Sequence, residues 1–203
     1  MGRGQEKKMK LLLENWRKYI NEETAAFHGA GMKPTQMRVS PQCDTAPDDD
    51  QWQAEEEGCP QFSDEKGISA DHPDIVEAIE FLDNVRPEHL IAYSRGGAVA
   101  LLALANSQHS PSVTFVAPAW KRGWVNGIES PSYSNGVIMH GTADNLVPLS
   151  HSAELSLRTG MKLYAFDGLG HGGDILRRKN EPQSGKLLSQ EEKEALIKDE
   201  TPA

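Results

Sequence analysis

Cysteine is scarce. The 203 residues hold two, Cys43 and Cys59, with no Cys-x-x-Cys spacing, which excludes a disulfide framework and the common zinc ribbons. Both sit in one polar stretch and read as ordinary thiols of a reduced compartment, with a loop-spanning disulfide as the alternative. Long apolar runs are missing as well. No run approaches the ~20 residues of a spanning helix, and the mean hydropathy is −0.57, so no membrane-inserted helix is expected. Positive charge is in deficit, with 21 Lys and Arg against 30 Asp and Glu for a net charge of −9. Such a chain repels phosphate on average, which argues against a general nucleic-acid binder. From Asp44 to Glu65 there are nine acidic residues and no basic one, and residues 41–70 read as a solvated acidic loop. The basic start, Met1 to Lys10, lacks a signal-peptide core, because Leu11 to Leu13 run straight into Glu14 and Asn15. A cytoplasmic protein is the expectation. Glycine (18) and proline (12) are near average, so the chain is neither collagen-like nor wholly disordered. Its length suits a single domain over 1–203, large enough to bury a core without staples.

Periodicity supplies the order of elements. Met9, Leu12, Leu13, Trp16 and Ile20 predict an N-terminal helix over 7–21 within the segment 1–23. Thr24 to Phe27 suits a short buried strand and runs into the turn-forming His28-Gly29-Ala30-Gly31. Pro73 suits the first turn of a helix, whose apolar face is Ile75, Ile79 and Leu82. Strands are expected at 89–93, 113–117, 137–140 and 162–166, with helices over 96–105 and 150–158. A tail over 176–203 contains Ser189 and Glu192, a capping-box pattern before a terminal helix. Short, wholly apolar strands alternating with helices predict an α/β fold. The sheet is mostly parallel and flanked by helices on both faces. Chemistry in such sheets gathers at the carboxyl ends of the strands.

Three strand ends stand out. After 89–93 comes Ser94-Arg95-Gly96-Gly97 and then a helix. A serine at so sharp a turn is held above the sheet, with the unpaired N–H groups of a helix start behind it. The flanking pattern is Ala92-Tyr-Ser-Arg-Gly96, close to the Gly-x-Ser-x-Gly nucleophile elbow. A helix-capping serine is the plainer alternative. After 137–140 comes Gly141-Thr-Ala-Asp144, and after 162–166 comes Asp167-Gly-Leu-Gly-His171. An aspartate past a strand end can orient an imidazole, and a histidine in a glycine-rich loop can reach it. Asp167 is the rival acid, being near His171 in sequence.

The order Ser94, Asp144, His171, each after its own strand, resembles the α/β-hydrolase family. The stretch His140-Gly-Thr-Ala-Asp144-Asn-Leu-Val147-Pro148 is typical of its esterase-like members. The resemblance implies a serine hydrolase cleaving small or medium carboxylic esters, with Ser94 as nucleophile, His171 as base and Asp144 as its orienting acid. It implies an oxyanion hole from the backbone of Arg95 and of Gly29 or Ala30, since 27–31 looks like the family's oxyanion loop. No metal or organic cofactor is implied. The seven histidines lack paired ligand spacing. His28 and His140 read as supports for strand ends, and His72, His89, His109 and His151 form no constellation. Trp120 and Trp124, with Tyr133, are candidate substrate-binding walls, ordinary packing being the alternative. The family's first two strands are absent and Arg38 to Ser40 is the nearest candidate for its fourth. The segment between 117 and 137 is too short for a large cap domain. This predicts a reduced, truncated form, and its missing edge strand invites pairing with a second copy. Thioesterase and peptidase or amidase activity with the same triad remain alternatives, as does an inactive binding protein on the same fold.

Overall fold

The computed structural model describes residues 24–31, 60, 62–128, 131–171, 173–178 and 181–200. The expected helix at 7–21, the candidate strand at 38–40, most of the acidic stretch and both cysteines lie outside these residues. Five strands run parallel in chain order: β1 (Thr24–Phe27), β2 (His89–Tyr93), β3 (Ser112–Val116), β4 (Gly136–Gly141) and β5 (Lys162–Phe166). A sixth, β6 (Lys186–Leu187), pairs antiparallel with β5. Sequence reasoning missed β6 because two exposed residues carry no periodic signal. Helices α1 (Pro73–Val85), α2 (Arg95–Asn106), α3 (Leu149–Thr159), α4 (Gly173–Leu176) and α5 (Gln190–Glu200) complete the described elements, with a 3-10 turn at Pro182–Ser184. The architecture is α/β, a mostly parallel sheet with helices on both faces. Among the described residues, no helix is long and apolar enough to cross a membrane.

The two faces of the sheet are unequal. Ala25, Phe27, Leu90, Ala92, Phe115, Ile138 and Leu163 pack on one face against residues of α1, α2 and α3, with Leu196 and Ile197 of α5 packed on that core. Ala26, Ile91, Tyr93, Met139 and Phe166 form a smaller cluster on the other face with Ile175 and Leu176 of α4. Alternation along each strand sends neighbours to opposite faces, and both faces are apolar, as buried parallel strands require. Helix α2 is buried from Arg95 to Leu104, matching its all-round apolar sequence. At α5 the capping box forms: Ser189 N donates to Glu192 Oε2 at 2.8 Å and Glu192 N donates to Ser189 Oγ at 3.2 Å.

One expectation is corrected. The carboxyl end of the acidic stretch is no solvated loop, since Phe62 and Ile68 are buried. Phe62 sets its ring edge-on to Phe27, with 5.0 Å between centroids. Ile68 forms a parallel bridge with Val125. Two apolar anchors hold this strap on the domain despite its charge.

Sheet and helix meet most closely at Gly96. A Cβ there would lie 2.3 Å from the Phe27 carbonyl oxygen and 2.5 Å from that of His28. Neither atom is the end of a flexible side chain, so the backbone itself must move. Gly96→Ala is therefore expected to destabilise the domain by at least ~3 kcal/mol. Urea denaturation of the two proteins measures this, and equal midpoints would show that β1 and α2 have room to part.

Candidate active site

The turn from β2 into α2 is strained at Ser94. Ser94 sits at φ 52° and ψ −119° between β2 and α2, a conformation that costs a non-glycine residue about 1–3 kcal/mol. Its backbone is held on both sides. Ser94 N donates to Val116 O at 2.9 Å, while Ser94 O accepts from Gly97 N at 3.0 Å and Ala119 N at 2.9 Å. The side chain makes no capping bond to the helix, so the helix-cap alternative fails and Oγ is free to face a neighbouring strand end.

That neighbour is His171. Its Nε2 lies 2.9 Å from Ser94 Oγ, and its Nδ1 lies 2.7 Å from Asp144 Oδ2. A carboxylate only accepts, so Nδ1 carries the proton and Nε2 is left to accept from the serine hydroxyl. Tyr93 packs its ring against the imidazole at 5.2 Å between centroids. Burial, with the charge of Asp144, pushes the Tyr93 phenol up to about 12. The imidazole is 10% exposed and the Asp144 side chain fully buried.

Asp144 is held by four donors. Oδ1 accepts from Leu146 N at 2.9 Å and Val147 N at 2.8 Å. Oδ2 accepts from His171 and lies 3.2 Å from His140 Nε2. Burial alone would raise the pKa of this carboxyl. The bonds from His140, His171 and the two amides outweigh it and hold the group well below the usual carboxylate range. Asp167 lies elsewhere in its bonding: its Oδ1 accepts from Thr142 Oγ1 at 3.2 Å, and Gly168 N donates to the same hydroxyl at 2.9 Å. The sequence-near acid thus braces a turn, and the sequence-distant one meets the imidazole.

The loop after β1 lies against the elbow. A Cβ on Gly29 would stand 2.9 Å from the Tyr93 ring and 3.2 Å from Ser94 Cβ, so only glycine fits there. Gly31 N donates to Asp64 Oδ1 at 2.8 Å. That amide is therefore occupied, and Gly29 is the residue of this loop set against Ser94. Arg95 opens α2, so its N–H has no intrahelical acceptor. His28 braces the loop from beneath, with Nδ1 donating to Gly29 O at 2.7 Å and Nε2 accepting from Phe62 N at 2.9 Å. Burial, aided by the Arg95 charge and opposed by the Gly29 bond, keeps the His28 pKa below the usual histidine value.

Sequence reasoning missed the Arg95 side chain. It is fully buried and pairs with Asp74 Oδ2 at 2.7 Å. The same oxygen accepts from Ser63 N at 3.0 Å and Ser63 Oγ at 2.9 Å. Burial would raise the Asp74 carboxyl, but Arg95 and Ser63 hold it below its ordinary range. A lone arginine inside a Ser-x-Gly pattern gives no hint of this partner 21 residues away.

The remaining candidates scatter. Trp124 is half-buried with the Arg95 guanidinium 5.8 Å and Lys66 Nζ 5.1 Å from its ring. Trp120 is buried in the core and donates its indole N–H to His151 O at 2.8 Å. Tyr133 bonds to Pro111 O and Ser110 Oγ, at the amino end of β3. It cannot wall a site at the carboxyl ends, and that expectation is corrected. His72 caps α1 by accepting from Asp74 N at 3.2 Å. His89 bonds Ser112 and Thr114, and His109 bonds Pro87 O.

No family model matches this chain, and no curated protein matches it. Among solved structures, the chain is similar to a "predicted CIB-like hydrolase" from Thermoplasma acidophilum. The two share 17% identity at a TM-score of 0.46, covering 81% of this chain and 82% of that one.

Two outcomes are expected. Asp144→Asn places an amide N–H against His171 and should slow reaction of Ser94 with a fluorophosphonate by about 10⁴-fold, as elsewhere for such acids. Asp167→Asn should leave that rate close to the parent's, and the reverse ranking would exchange the two roles. Stability should also fall with acid in two stages. His28 is held neutral, so its contribution is complete above about pH 6.5 and is lost as pH falls through its lowered pKa. Asp144 is held ionised, so its contribution is complete above about pH 4 and disappears below that. Urea midpoints from pH 8 to pH 3 test both, and a flat profile between pH 7 and 5 would remove His28 from the account.

Proposed function

We propose that this protein is a serine hydrolase that cleaves small or medium carboxylic esters through an acyl-enzyme. One observation carries the reading: a single imidazole, His171, bridges Ser94 Oγ at 2.9 Å and the buried Asp144 at 2.7 Å. Ser94 Oγ attacks the acyl carbonyl while His171 Nε2 takes its proton. Asp144 keeps the imidazole in the Nδ1–H tautomer and stabilises the imidazolium. The oxyanion meets the Arg95 amide together with that of Gly29 or Ala30, each such donor lowering the barrier by about 3 kcal/mol in acyl transfer generally. The imidazolium returns its proton to the leaving oxygen, and the alcohol departs. Water, deprotonated by the same His171, then attacks the acyl carbon, and Ser94 recovers its proton as the acid is released. The Gly29 backbone, pressed against Tyr93 and Ser94, supports an oxyanion loop set in place before substrate arrives.

Intact mass after fluorophosphonate treatment, parent beside Ser94→Ala, tests the nucleophile. One adduct on the parent and none on the variant is expected, with unfolding temperatures nearly equal. A folded parent that takes no adduct would sink the reading. Rates on p-nitrophenyl esters from acetate to decanoate, beside thioester and peptide panels, then rank the carbonyl classes, with the shorter esters expected to lead.

A further inference from the structure

The acid of the site is shared between two imidazoles. His140 Nε2 lies 2.8 Å from Val147 O and 3.2 Å from Asp144 Oδ2. Both oxygens only accept, so Nε2 carries the proton. Nδ1 of the neutral ring is then bare and accepts from Ser152 Oγ, 2.6 Å away on α3. His140 and Ser152 are both fully buried, so no bulk water can replace either bond. The oxygen that His140 approaches is the one bonded to His171, while Oδ1 is filled by Leu146 N and Val147 N. Four donors match the roughly four lone-pair sites of a carboxylate.

We propose that His140, locked in its Nε2–H tautomer by Ser152 and Val147, is a positioning residue that sets how strongly Asp144 holds the proton of His171. Its hydrogen bond draws charge from Oδ2. Without that bond the whole attraction of Oδ2 falls on His171, the imidazolium is favoured, and the His171 pKa rises. The acid limb of Ser94 reactivity then moves to higher pH. The other groups around His171 leave this sign intact. Tyr93 presents its ring face, Asp167 is bound to Thr142, and the Arg95 guanidinium is directed to Asp74. Around His140, the facing groups are Asp144, Ser152 and the Val147 carbonyl; His151, beside Ser152 on α3, gives its carbonyl to Trp120.

The effect on rate rests on the serine-hydrolase reading, but the hydrogen-bond arrangement belongs to the resting protein and can be measured without turnover. The experiment is an imidazole ¹H–¹⁵N titration of the full chain. The parent, His140→Gln and the double variant His140→Leu with Ser152→Ala are compared, alongside fluorophosphonate labelling over pH. The parent should show His140 as the Nε2–H tautomer, and an Nδ1–H pattern there would overturn the proposal whatever the variants do. The double variant removes the donor and its partner hydroxyl together. It should raise the His171 midpoint by about half a unit to one unit, a three- to ten-fold change in proton affinity. The acid limb of labelling should move with it. Glutamine can still offer an N–H to Val147 O and Asp144, so His140→Gln should stay near the parent. A folded double variant with an unmoved or lowered His171 midpoint would overturn the proposal. Labelling that fails in every protein while the midpoint moves as expected would retain the proposal and remove the hydrolase reading.

Discussion

The contact on which the rest depends is the approach of the end of β1 to the first turn of α2, with no side chain between. Gly96 sits against the carbonyls of Phe27 and His28, which brings the 28–31 loop over the strand-to-helix turn. The turn is sharp enough to hold Ser94 at φ 52°. A strained residue persists only where its surroundings over-determine it. Here they do, since Ser94 N binds Val116 O and Ser94 O accepts from both Gly97 and Ala119. The strain at Ser94 and the closeness of the Gly29 backbone to it are thus one geometric fact.

The strap from Phe62 to Glu65 fastens that arrangement from outside. It donates Phe62 N to His28 and offers Asp64 Oδ1 to Gly31 N. Ser63 binds Asp74, the partner of the buried Arg95 guanidinium. Buried ion pairs contribute little net stability, but removing one partner leaves an uncompensated charge and is strongly destabilising. The pair therefore acts as a register device. It fixes the strap to the helix that begins at Arg95, and the strap fixes the loop that begins at His28. An acidic segment becomes structural because one of its carboxylates, Asp64, and the nearby apolar side chains Phe62 and Ile68 find partners.

Much of the site was legible because α/β sheets place chemistry by a local rule. A residue just past a parallel strand lies at the carboxyl edge, whatever its partners turn out to be. Ser94, Asp144 and His171 each satisfied that rule, and glycine-rich surroundings marked two of the three turns. The same rule could not choose between Asp144 and Asp167, since both follow strands. It also misplaced Tyr133, because the connection from β3 to β4 returns to the amino end of the sheet and sequence proximity to β3 does not say which end. His140 looked like a strand-end support. Its bond to Asp144, four residues on in a turn rather than a helix, follows from loop shape alone.

The element order, the parallel sheet and the three strand ends are written in the chain. Those features follow from periodicity, turn chemistry and chirality acting over a few residues. Tertiary structure alone decided which acid meets the imidazole, which loop amide is occupied and where the buried guanidinium goes. Each of these is a contact between segments 21 to 77 residues apart. Such contacts are set by differences of an ångström or two in how strands, turns and helices pack, and short-range propensities do not carry that information.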